Sequence, residues 1–193
     1  MKVLLFLAKG FETMEASVFI DVFGWAKVSY GYDVEVVTCG VHETVISAFG
    51  VPVKVDVLLS DVDSEEYDAL AIPGGFEEYG FYDEAFSSEI GKLIKDFDAR
   101  KKGIASVCVG ALALAHSGIL KGRRATTYHL NDGIRQKQLA AYDVEVVNEP
   151  VVIDDNIITS FCPQTAPYVA LDLLEKLVGN EKMLIVKTAM GFE

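Results

Sequence analysis

The chain has 193 residues, 51% of them hydrophobic, enough for one substantial core; residues 1–193 are therefore read as one domain. A formal charge of -12 and a pI near 4.7 repel nucleic-acid backbones and anionic membrane faces. The densest basic runs, Arg100-Lys101-Lys102 and Lys121 with Arg123-Arg124, are too short to outweigh that background and read as solvated surface.

Val3–Ala8 is a continuous apolar run. It is shorter than a secretory core of about 7–15 residues and is followed by Lys9 and Glu12, so it reads as a buried first strand. Residues 12–28 repeat apolar positions at Val18, Phe19, Val22, Phe23 and Ala26, which predicts a helix. Asp33–Cys39 adds a strand, and Thr44–Phe49 with Val51–Leu58, around Gly50-Val51-Pro52, suggest a small antiparallel excursion. Ala69–Pro73 and Ile104–Cys108 are two further apolar runs of the kind buried on both faces of a parallel sheet. Between them, Phe86, Ile90, Leu93, Ile94 and Phe97 mark a helix over 84–99.

Small and aliphatic residues from Val109 to Ser117 predict another helix. Asp143–Val147 and Val151–Ser160 resemble a hairpin turning at Asp154-Asp155-Asn156. Thr165 is placed to cap a last helix, Ala166–Val178, closed by Gly179. Strands alternating with helices predict an α/β sandwich, doubly wound around a mostly parallel sheet with helices on both faces. No apolar stretch approaches the ~18 residues of a membrane span, which predicts a soluble protein with no membrane partner. Cys39, Cys108 and Cys162 are widely separated and lack CxxC spacing, which argues against a disulfide framework or structural zinc and fits a reducing cytoplasm.

Cys108 ends an apolar strand directly before a helix. In a parallel sheet that seam is where ligands collect, and unpaired N–H groups at a helix start favour a thiolate. The alternative is a small apolar filler. Gly74 and Gly75 follow the strand ending at Ile72-Pro73, where residues free to take unusual backbone angles let peptide N–H groups approach a ligand. With the Val109 N–H they could surround an oxyanion. Glu15 lies three, four and seven residues before Val18, Phe19 and Val22, on the apolar stripe of its helix. A carboxyl there needs a partner or a proton, and in its neutral form can donate to sulfur; alternatively it rims the helix start.

LAKGFETME (Leu7–Glu15), IPGG (Ile72–Gly75), ASVCVG (Ala105–Gly110), ATTY (Ala125–Tyr128) and TSFCPQT (Thr159–Thr165) together resemble the ThiJ/PfpI superfamily, close to its DJ-one branch, over almost the whole chain. The resemblance implies a flavodoxin-like three-layer sandwich of the class I glutamine amidotransferase type, often a homodimer. It matches Cys108 to the elbow nucleophile, Glu15 to the acid bonded to it, and Gly75 and Val109 to the oxyanion donors. Where the protease-like branch has a histidine after the nucleophile this chain has Val109, and no histidine follows His129, so proteolysis and glutaminase activity are both disfavoured.

Glyoxalases and proposed deglycases of the branch carry a histidine after two threonines. Here Tyr128 stands there, with His129 next, and successive strand residues point to opposite faces. Phe161 replaces an arginine common in the branch, which removes one anchor for an anionic substrate, and Cys162 is either a resolving thiol for oxidised Cys108 or a packed bystander.

The expected function is cysteine chemistry on small carbonyl compounds of the methylglyoxal type, with Cys108, Glu15 and either Tyr128 or His129 as catalytic residues and no cofactor or metal. The competing expectation is a redox sensor or protective chaperone that uses an oxidant at Cys108 in response to oxidative stress. A thiazole monophosphate biosynthesis role, attached to ThiJ-like sequences, lacks a visible phosphate cradle.

Overall fold

The computed structural model describes residues 1–192. In chain order the first half comprises β1 (Lys2–Phe6), α1 (Thr13–Tyr30), β2 (Glu35–Gly40), β3 (Thr44–Ile46), β4 (Pro52–Lys54), β5 (Val57–Leu58), β6 (Ala69–Ile72), α2 (Phe81–Ala85) and α3 (Ser88–Ala99). The second half comprises β7 (Gly103–Val107), α4 (Gly110–Ser117), β8 (Arg124–Ala125), α5 (Ile134–Ala140), β9 (Glu145–Val146), β10 (Val151–Asp154), β11 (Ile157–Ser160), α6 (Ala166–Val178) and α7 (Asn180–Ala189).

Seven strands form the central sheet in the order β10-β11-β7-β6-β1-β2-β5. Every pairing is parallel except β10 with β11, the hairpin that turns through Asp155-Asn156. Alternation along the strands explains the three layers. Val3, Leu5, Ala69, Ala71, Ala105 and Val107 point to one face and pack with α1, α6 and α7. Leu4, Phe6, Leu70, Ile72 and Ile104 point to the other and pack with α2, α3, α4 and α5. The architecture is a flavodoxin-like α/β sandwich with helices on both faces, as the alternating pattern predicts.

Local chemistry accounts for the departures. The helix expected over 84–99 is two helices, because Ser87 takes an extended conformation and its side chain caps α3 by accepting the Ile90 N–H at 3.5 Å. Asp143–Val147 does not join the hairpin; Glu145 and Val146 pair in parallel with Arg124 and Ala125 in a separate two-stranded ribbon. The excursion at β3 and β4 is antiparallel as expected, but Val57–Leu58 returns to the main sheet beside β2. Thr165 precedes α6 without capping it: its hydroxyl donates to the Cys162 carbonyl at 2.8 Å. Helices α5 and α7 were not foreseen in the sequence.

The chain order creates the crevice. β2 lies on one side of β1 and β6 on the other, so the connections leaving the carboxyl ends of β1 and β6 diverge there. A single antiparallel bridge between Phe11 and Gly75 ties the two loops together beside that opening.

Candidate active site

Cys108 sits one residue beyond β7 with φ of 55°, in the left-handed region that L-residues rarely adopt. That turn reverses the chain fast enough for α4 to begin at Gly110, with Val109 as its N-cap. Two hydrogen bonds hold the elbow. The Cys108 N–H donates to the Ser160 carbonyl at 3.0 Å, and the Thr127 hydroxyl donates to the Cys108 carbonyl at 2.7 Å. Gly110 is dictated by space, since a Cβ there would lie 2.6 Å from the Ile72 carbonyl oxygen.

Gly74 and Gly75 are required for a different reason from the one the sequence suggests. Neither takes a left-handed conformation. At Gly74 a Cβ would meet Glu15 Oε2 at 2.8 Å and Cys108 Cβ at 3.0 Å; at Gly75 it would collide with the Phe81 ring and approach the Gly10 carbonyl at 2.5 Å. These glycines therefore make room for the acid, the thiol and the neighbouring loop. The N–H groups of Gly75 and Val109 donate to no carbonyl among the described residues.

Glu15 is fully buried in the first turn of α1. Its own N–H donates to Glu12 Oε2 at 2.8 Å, and its Oε2 accepts the Gly74 N–H at 2.7 Å. Oε1 is buried without a protein partner. Burial pushes the carboxyl up to about 8, against the opposing pull of the Gly74 N–H and with a smaller upward push from Glu12. The acid is therefore neutral at pH 7, as the apolar stripe of α1 implies.

The thiol departs from expectation. Burial, followed by the charge of Glu15, pushes Cys108 well above the usual thiol value, while the Val109 N–H pulls it down by less. Glu15 and Cys108 instead form a coupled pair in which ionisation of one opposes ionisation of the other.

Both groups open on a cavity of about 360 Å³ whose wall includes Gly75, Val109, Tyr128 and Arg135. Tyr128 lines the cavity, whereas His129 is not part of its wall and stacks on Phe161 with ring centres 3.9 Å apart. The His129 Nδ1 is buried without a partner. Cys162 is a partly exposed free thiol outside the cavity wall, close enough that its charge would raise the Cys108 pKa further.

Arg135 was missed in the sequence. It projects from α5 and pairs with Glu77 at 3.0 Å, bonds Gln138 at 2.9 Å and lies 5.5 Å from the centre of the Tyr82 ring. No periodic signal marks it, because α5 buries only Leu139. Cys39 serves as the inert contrast: it is fully buried, and desolvation pushes its thiol up to about 12.

An elbow cysteine, a buried acid and N–H groups that donate to no carbonyl, all at the carboxyl ends of a parallel sheet, define a class of cysteine-centred α/β proteins. The DJ-1/PfpI family model matches residues 1–176, and the chain belongs to that family. It is 32% identical over 190 residues to the Parkinson disease protein 7 homolog of Danio rerio, covering 98% of this chain and 96% of the relative. The crystal structure of Drosophila melanogaster DJ-1beta superposes with a TM-score of 0.87 at 30% identity, over 100% of this chain and 98% of that one. Toxoplasma gondii DJ-1, oxidized, superposes at 0.83 and 30% identity, over 99% of this chain and 98% of that one.

Proposed function

We propose that Cys108 adds to the aldehyde carbon of a small dicarbonyl such as methylglyoxal and that the adduct rearranges to a hydroxy acid, a glyoxalase-type reaction whose first step would also serve deglycation. As the S–C bond forms, the thiol proton ends on the carbonyl oxygen and gives a hemithioacetal. The N–H groups of Gly75 and Val109 stabilise that oxygen while it carries charge. Glu15, as carboxylate, then takes the proton from the sulfur-bearing carbon and returns it to the adjacent carbon, while the Tyr128 hydroxyl relays protons between the two oxygens. The product of this shift is a thioester. Water splits it, releasing the hydroxy acid and restoring the thiol, with no net change in electrons.

The observation that carries this reading is the shared cavity: a free thiol, a buried carboxyl, and two backbone N–H groups that donate to no carbonyl line one small space. With Glu15 near 8, the proton-abstraction step, isolated by following solvent-deuterium entry at the hydroxy-acid carbon, rises with pH up to that value and then levels off. Lactate formation from methylglyoxal should be measurable for the parent and fall to background in Cys108→Ser. Equal traces from both proteins would refute the reaction.

A second reading has its own support, since the Toxoplasma gondii relative is described as oxidized and Cys108 is partly exposed. Two equivalents of peroxide would each transfer one oxygen to sulfur and leave as water, giving a sulfinate. Selective gain of two oxygens at Cys108 by mass spectrometry supports this sensor role; equal oxidation at Cys162 opposes it.

A further inference from the structure

We propose that the Cys108 cavity selects its electrophiles by charge, admitting neutral and cationic carbonyl compounds and turning away those that bear a carboxylate. The inference deepens the reading of Cys108 as a nucleophile toward carbonyls and rests on it. Glu12, Glu15, Glu77 and Glu78 all line the cavity, with Arg135 as its one cationic side chain. That guanidinium is already engaged by Glu77 on one side and Gln138 on another, so its charge is cancelled locally.

Glu12 and Glu78 are left without an ion pair among the described residues. The field of Glu12 reaches the floor of the site, where it opposes ionisation of Glu15. The chain's charge of -12 adds to the same field. A neutral dicarbonyl crosses such a mouth freely. The hydroxy acid formed from it acquires its carboxylate inside and is repelled outward, so the same charges that exclude oxo acids hasten product departure.

Two thiol reagents of equal reactivity type and opposite charge test this without any turnover: methanethiosulfonates carrying a trimethylammonium or a sulfonate group. Their rates at Cys108 are read peptide by peptide by mass spectrometry and divided by the ratio found for the urea-unfolded chain. The cationic reagent should be favoured about tenfold at low salt, with the preference shrinking as added salt screens the glutamates. Glu78→Gln should lower the preference severalfold, and Glu181→Gln, on the distant α7, should leave it unchanged. A ratio equal to that of the unfolded chain, or one favouring the sulfonate, overturns the inference. Comparing methylglyoxal with glyoxylate as substrates separates the two layers: charge preference at the thiol without lactate formation keeps the selectivity and removes the carbonyl reaction, and lactate formation without charge preference does the reverse.

Discussion

Glu15 carries its proton because α1 turns it away from water and the Gly74 N–H supplies only one hydrogen bond. Its carboxyl titrates at the ordinary 4.5 when unfolded and at about 8 when folded, so the folded chain retains a proton that the unfolded chain gives up between those values. The contribution of this residue is fully present below pH 4.5 and is lost as pH rises through 8, a change on the order of 5 kcal/mol. Glu15→Gln keeps a carbonyl for Gly74 and abolishes the titration. Urea midpoints should therefore shift in favour of the variant, relative to the parent, between about pH 5 and pH 8; a constant difference would contradict the buried-acid assignment. Glu15 was legible in the sequence because three and four residues fix its helical face. The state of Cys108 was not, since the weight of burial against a single helix N–H depends on atoms brought in by other loops.

At the scale of elements, α4 packs against the end of β6 at a distance set by Gly110. Alanine is a better helix former than glycine, yet a methyl group 2.6 Å from a backbone oxygen cannot be relieved by rotating a side chain. Gly110→Ala should cost about 1–3 kcal/mol and slow alkylation of Cys108, because the elbow shifts with the helix. Unchanged stability and unchanged alkylation together would show that α4 can withdraw freely. The central strands were legible because both their faces are buried and they read as unbroken apolar runs. Helix α5 was not, with seven residues and a single buried side chain, and its concealment hid Arg135 as well. Helix α7 follows Gly179, whose φ of 88° marks the end of α6 as predicted and gives no hint that a new helix starts one residue later.

For the molecule as a whole, α1 leaves Met14, Ile20, Trp25 and Val28 exposed on its outer side, with Val28 85% accessible. Members of the family are commonly dimers, and an apolar helix face of this kind is the expected seam. Sedimentation should find a species at twice 21.1 kDa for the parent and the single-chain mass for a variant carrying both Ile20→Glu and Trp25→Glu. A dimer indifferent to both changes would place the seam elsewhere. No helix among the described residues is long and apolar enough to cross a membrane.

The two bonds that clasp Cys108 come from chain synthesised after it, one from Thr127 and one from Ser160 at the end of β11. A growing polypeptide that has completed α4 already contains its sulfur but still lacks both of these partners. A chain truncated before β11 is expected to carry the same thiol without its clasp, so its alkylation rate should match that of an unfolded peptide.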